Sequence, residues 1–194
     1  ASAYWVEAEG GTLLLDCSGP AVHRMAEEGC DWASLDAVWV SHFHLDHVGG
    51  LAPFLFGTKY APQMQSRRRP LHIFGPHGTR KLLEAFDAAG DYKLFEQPFP
   101  LEVREVAPRS EFEIFEGLRA ETYSTPHTSE SLAVRLTDAG GASLDREARA
   151  ASRISHPHAI TVTDFGEAEN GVVFLVMEYL RGRTLKEVIR SDGP

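Results

Sequence analysis

Cysteine is nearly absent from this 194-residue chain: Cys17 and Cys30 stand alone, too few for a multi-bridge scaffold. Each has apolar neighbours that suit a buried, reduced thiol, which points to a cytoplasmic setting. Long apolar runs are missing too. No stretch approaches the roughly 18–20 residues that a bilayer helix needs, and the first residues lack the basic-then-apolar order of a secretory leader. Positive charge is scarce, since 19 Lys and Arg against 28 Asp and Glu leave a net charge of −9. A broad electrostatic footprint for nucleic acid is therefore not expected, and a polyanionic partner must be small or locally steered. Internal repeats and Pro/Gly/Ser spacers are also lacking. What remains is ordinary globular composition, 43% hydrophobic and 24% charged, sized for one domain or one domain plus a fragment.

Ala3–Ala8 and Thr12–Asp16 alternate as two strands about Gly10-Gly11, a hairpin signal. Pro20 opens and Gly29 closes a short helix, and Ala37-Val38-Trp39-Val40-Ser41 is a continuous apolar run of the buried-strand type. An apolar helix is expected from Leu51 to Phe56, a strand at Leu71–Phe74 and a helix from Thr79 to Ala89. Three more strands follow at Leu101–Val106, Leu118–Ser124 and Ser131–Thr137. Beyond Leu144 the texture changes: acids outnumber bases 20 to 12 before it and only 8 to 7 after it. A polar helix is expected over Asp145–Ser155, a hairpin from Ile160–Phe165 and Val172–Tyr179, and a last helix over Thr184–Arg190.

The chemistry concentrates in Ser41-His42-Phe43-His44-Leu45-Asp46-His47, which places three imidazoles and a carboxylate within six positions directly after a strand. Any one of these histidines taken singly suits a solvated loop or a satisfied core position. As a set they call for a metal, and neutral imidazole with carboxylate suits Zn(II), with Mn(II) or Fe(II) also compatible. His127, far along the chain, is a further candidate. Arg67-Arg68-Arg69 reads as a solvated loop, His72 as a packed core residue, and Tyr60 and Met64 as loop residues that fill core or line an entrance.

The His42-x-His44-x-Asp46-His47 pattern resembles the signature of the metallo-β-lactamase superfamily. With Phe74-Gly75-Pro76 and Ser124-Thr125-Pro126-His127, the first 144 residues resemble its ribonuclease Z-like branch. The resemblance implies that His42, His44 and His127 hold one ion and that Asp46 and His47 belong to a second site. It implies a dinuclear Zn(II) centre whose activated hydroxide cleaves small or activated phosphodiesters or phosphotriesters, with Asp46 orienting water or taking its proton. The superfamily's bridging aspartate and late histidine have no recognisable counterpart here. A catalytically inactive remnant that binds at most one ion is therefore the alternative.

Residues 145–194 resemble something else. Glu147, Ser155-His156-Pro157, Val176-Met177-Glu178-Tyr179-Leu180 and Gly182-Arg183-Thr184-Leu185 look like part of a bacterial serine/threonine kinase N-lobe, with Glu147 as the αC glutamate and Met177–Leu180 as the hinge. Kinase activity is not expected, because the Gly-rich loop, its partner lysine and the catalytic-loop aspartate are not in the sequence, and Asp164-Phe165-Gly166 precedes the hinge instead of following it. The expected fold is thus α/β (α+β): an incomplete αββα sandwich over residues 1–144, with a kinase-derived helix–hairpin–helix tail over 145–194 packing on the sheet. An intertwined homodimer is expected, because bare sheet edges attract strands. Asp164 in particular, or else Asp145, Glu147, His156 or His158, is a candidate substitute ligand.

Overall fold

The computed structural model describes residues 3–138, 162–167 and 173–177, and it divides into two compact units, Ala1–Gly141 and Ala142–Pro194.

In the first unit, β1 (Tyr4–Ala8) and β2 (Gly11–Leu15) form the expected antiparallel hairpin. β3 (Ala37–Trp39), β4 (Leu71–Pro76) and β5 (Leu101–Val106) then add in parallel, giving the order β1-β2-β3-β4-β5. Parallel strands need crossover helices. These are α1 (Ala21–Glu27), the single-turn α2 (Leu45–Val48), α3 (Leu51–Tyr60) and α4 (Thr79–Ala88). β6 (Glu111–Phe115), β7 (Leu118–Ser124) and β8 (Leu132–Asp138) make a second, antiparallel sheet.

Side chains alternate across the first sheet with the strand period of two. Leu14, Val38, Val40 and Ile73 enter one core with Met25, Leu51, Leu55 and Leu83 of the helices. Leu13, Ala37, Trp39 and Phe74 enter another with Phe112, Ile114, Leu118, Ala120, Leu132 and Leu136 of the second sheet. Strands buried on both faces read as unbroken apolar runs, which is why Ala37–Val40 shows no polar alternation. The outer face of the second sheet is polar instead, with Arg119 beside Glu111 and Arg135 paired to Glu121.

Several expectations need correction. β6 was not foreseen, although Glu111-Phe112-Glu113-Ile114 alternates exposed and buried positions. α3 continues through Gly57 to Tyr60, where Pro62 prevents further winding. Met64 fills core as expected, 1% exposed, but Tyr60 does not and is exposed. Cys30 is only half-buried, and His72 is half-buried with Nδ1 3.3 Å from Glu102.

Of the three arginines expected in a solvated loop, Arg68 and Arg69 are exposed but Arg67 is buried. The buried Arg67 guanidinium donates to the carbonyls of Arg69 (2.9 Å), Ala33 (2.9 Å) and Pro70 (2.6 Å). Arg68 donates to Gln65 and Arg67 carbonyls, and Arg69 lies 2.8 Å from Asp36.

In the second unit β9 (Val162–Glu167) and β10 (Val173–Met177) pair antiparallel, with a register shift between Val176 and Met177. The helices expected over 145–155 and 184–190 lie outside the described residues, as do Asp145, Glu147, His156 and His158. Among the described residues no helix is long and apolar enough to cross a membrane.

Candidate metal centre

β2, β3 and β4 run parallel, so their C-terminal ends open on one edge of the first sheet, where α/β sheets bind ligands. Past β3, Val40 N–H still donates to Phe74 O at 2.8 Å, and then Ser41–His44 leaves the ladder. α2 starts at Leu45, and the chain turns back through Gly50. A Cβ there would lie 2.2 Å from Ser18 O and 2.9 Å from Cys17 O, so only glycine lets the loop pass this close.

His127 arrives from the second sheet, in the loop between β7 and β8. That loop is tied to the first by Leu132 N–H donating to Ser41 O (2.9 Å) and Phe43 N–H to Glu130 (3.4 Å). As a result His127 Nε2 lies 3.2 Å from both His42 Nε2 and His44 Nδ1. One ligand atom from each of the three residues falls within 4.8 Å of the others, and this is the sole such group among the described residues. His42 is buried, while His44 and His127 are exposed to the cleft.

The network behind the triad fixes its protons. Asp16, 7% exposed, accepts from Ser41 N–H (2.8 Å), Ser41 O–H (2.8 Å) and His47 Nδ1–H (2.6 Å). A carboxylate only accepts, so the single Ser41 hydroxyl proton is committed to it. Ser41 Oγ, 2.9 Å from His42 Nδ1, must then accept from that nitrogen, which leaves a bare lone pair on His42 Nε2 facing His127. Asp16 likewise holds a proton on His47 Nδ1, and His47 Nε2 lies 3.6 Å from Asp46. One aspartate therefore orients two rings and, through Ser41, fixes the tautomer of His42. It does so from a positive φ of 59°, a conformation that Asp tolerates better than most residues.

The donor set fits a divalent ion. Two nitrogens about 2.0–2.1 Å from a tetrahedral ion stand about 3.3 Å apart, close to the spacing around His127 Nε2. One nitrogen, with a single proton or a single lone pair, cannot satisfy both neighbours by hydrogen bonding alone. Burial, then repulsion from His47, His127 and His44, pushes the His42 pKa below the usual imidazole value against the pull of Asp16, favouring the neutral ligand form. At Asp46 desolvation opposes ionisation, yet its own N–H and the nearby His47 and His44 outweigh it and hold the carboxyl below its usual range. Burial pushes the Cys17 thiol up to about 12, with Asp16 adding to the effect, so it stays protonated and is a poor ligand.

Of the five residues expected at a metal, the structure thus groups His42, His44 and His127. It sets His47 against His42, ring centroids 4.1 Å apart, with Asp46 beside His47. Asp16 and the Ser41 hydroxyl were not foreseen. The available signal was a carboxylate closing the apolar run Leu13-Leu14-Leu15, one strand away from the His-rich loop.

The family model described as Anti-Pycsar protein Apyc1 matches residues 1–156. The chain belongs to that family. Ribonuclease Z of Methanosarcina acetivorans is 33% identical to this chain over 137 residues, 71% of this chain and 42% of that protein. The chain therefore spans less than half the length of this curated relative. Among solved structures, the metallo-beta-lactamase fold protein YhfI of Bacillus subtilis superposes with a TM-score of 0.57 at 21% identity, covering 73% of this chain and 52% of that one. The fold is accordingly that of the metallo-β-lactamases. A separate likeness, to the serine/threonine-protein kinase pkn3 of Myxococcus xanthus, runs at 47% identity over 53 residues, 27% of this chain and 10% of the kinase.

Proposed function

We propose that the chain is a metal-dependent phosphoester hydrolase, with His42, His44 and His127 holding one Zn(II) and Asp46 and His47 serving a second. The observation that carries this reading is the convergence of three imidazole nitrogens from two different sheets, one of them with its proton already steered away from the centre. A bound divalent ion supplies Lewis-acid polarisation of a phosphoryl oxygen and acidification of water. The chain's own residues do the rest. Asp16 and Ser41 hold the ring of His42, Asp16 holds the ring of His47, and the ionised Asp46 orients water and takes its proton on a carboxylate oxygen. The relationship to ribonuclease Z supports a phosphoester substrate. The net charge of −9 favours small or activated phosphodiesters and phosphotriesters over a long polyanion.

A homodimer is part of the proposal. Among the described residues β8 ends its sheet with one edge unpaired, which invites a strand or helix from another copy. The likeness to a kinase supports reading the later residues as a fused kinase-derived segment.

Metal analysis and turnover of bis(p-nitrophenyl) phosphate test the hydrolase reading. Two ions per chain, and activity abolished in His42→Ala and Asp46→Ala, are expected. One observation favours the inactive one-ion reading: among the described residues Asp46 and His47 complete no group of three. A single ion without turnover would establish that reading in place of ours.

A further inference from the structure

A second imidazole stands at the same sheet edge, outside the candidate metal centre. Trp39 of β3 pairs with Phe74 of β4. Three residues further on, one strand reaches His42 and its neighbour reaches His77. The two loops touch: Phe43, between His42 and His44, packs on Gly78, where an added Cβ would lie 3.2 Å from the Phe43 ring. Gly78 also has φ +100°, so it alone can turn the chain into α4 here.

His77 is a fully exposed residue whose ring is held by one carboxylate. Its Nδ1 lies 2.8 Å from Glu105 Oε2, with the ring 97% and the carboxylate 27% exposed. The other carboxylate oxygen accepts from Gly78 N–H (3.1 Å) and Arg80 N–H (3.0 Å) at the start of α4. Glu105 is thus clamped to backbone on one side and orients the imidazole from the other, leaving Nε2 free and turned to solvent. A carboxylate that fixes one ring nitrogen while the other is presented gives an imidazole that passes a proton through the presented nitrogen.

From this juxtaposition we propose that His77, oriented by Glu105, protonates the leaving-group oxygen of the phosphoester. The proposal rests on the hydrolase reading above. As water oxygen bonds to phosphorus, the phosphorus–oxygen bond to the leaving group breaks. Its electron pair stays with that oxygen, which takes the proton from Nε2 of the imidazolium. The neutral ring is then reprotonated by solvent. His77 is the catalytic residue in this step and Glu105 the positioning residue.

The test is leaving-group dependence in the metal-loaded protein. p-Nitrophenolate departs without a proton and an alkoxide does not. His77→Ala is expected to lower kcat/KM for an alkyl phosphodiester by about 100-fold and to change it less than about threefold for bis(p-nitrophenyl) phosphate. Glu105→Gln should reproduce part of the alkyl-ester loss, and the double variant should be no worse than His77→Ala, because both act through one ring. Long-range 15N NMR should also show the His77 proton on Nδ1 in the wild type and lose that preference in Glu105→Gln. Equal losses on both esters, or no loss on either, would overturn the role of His77. A wild-type protein inert toward both esters would instead overturn the hydrolase reading, and this role with it.

Discussion

Replacing Asp16 by Asn tests the proton arrangement of the centre without disturbing its backbone, because Asn also tolerates the positive φ of 59° at this position. The remaining carbonyl oxygen can still accept from Ser41 N–H, now at 2.8 Å. The new amide group, however, faces two donors, Ser41 O–H at 2.8 Å and His47 Nδ1–H at 2.6 Å. Relief requires the hydroxyl to turn toward His42 Nδ1, which moves that ring's proton to Nε2, and requires His47 to move its own proton likewise. Each shift puts a proton where a ligand lone pair was. Losing such an outer partner costs about 10–100-fold in metal affinity, or about 1.4–2.8 kcal/mol. Loss of the charge-assisted bonds takes about 1.5–3 kcal/mol from folding. Isothermal titration of the metal-free proteins with Zn(II) reads the first quantity, urea unfolding the second and long-range 15N NMR the tautomers. A folded Asp16→Asn protein that binds Zn(II) with wild-type affinity and keeps His42 Nε2 bare would refute the reasoning.

His127→Ala should abolish uptake of the ion held by the triad while changing the stability of the metal-free protein by less than about 0.5 kcal/mol, since the ring is exposed; parallel titration and unfolding check this. Arg67→Ala leaves three inward-facing carbonyls without their donor and should cost about 3–5 kcal/mol in urea unfolding, with Lys no substitute because it lacks the planar fork. Gly50→Ala forces a methyl against Ser18 O and should cost about 1–3 kcal/mol and reduce metal affinity. At Glu105 desolvation works to raise the pKa, but the N–H groups of Arg80 and Gly78 and the His77 ring outweigh it and depress it. Its stabilising contribution is therefore complete above the ordinary glutamate range and lost as pH falls through the depressed value. Glu105→Ala should remove about 1 kcal/mol at neutral pH and flatten the acid limb of a pH–stability curve.

The histidines were legible because clustering in sequence survives folding: His42 and His44 are two residues apart at a strand end, and no tertiary information is needed to see them together. His127 came through the resemblance of its loop, since 83 residues separate it from His44. Asp16 was hidden for a physical reason. Its role depends on β2 and β3 lying side by side, and an aspartate after an apolar run looks like any strand terminus. Arg67 was misread because a run of like charges normally seeks water, and which carbonyls go unpaired at Ala33 and Pro70 is decided only when two loops meet. His77 and Glu105 were split in the same way, 28 residues apart in sequence and joined by the parallel register of β4 and β5. β6 was lost to its brevity, five residues ending one step before the turn at Glu116-Gly117.

His42 and His44 hang from one sheet and His127 from the other, so an ion held by all three acts as a clasp between layers that otherwise meet through Trp39, Phe74, Phe112 and their apolar neighbours. At a free-ion level a hundred times the dissociation constant the clasp adds about 2.7 kcal/mol to folding. Metal scarcity would then do more than silence the chemistry. It would loosen the mouth of the sandwich and expose the chain to proteases, tying the protein's lifetime to its metal supply.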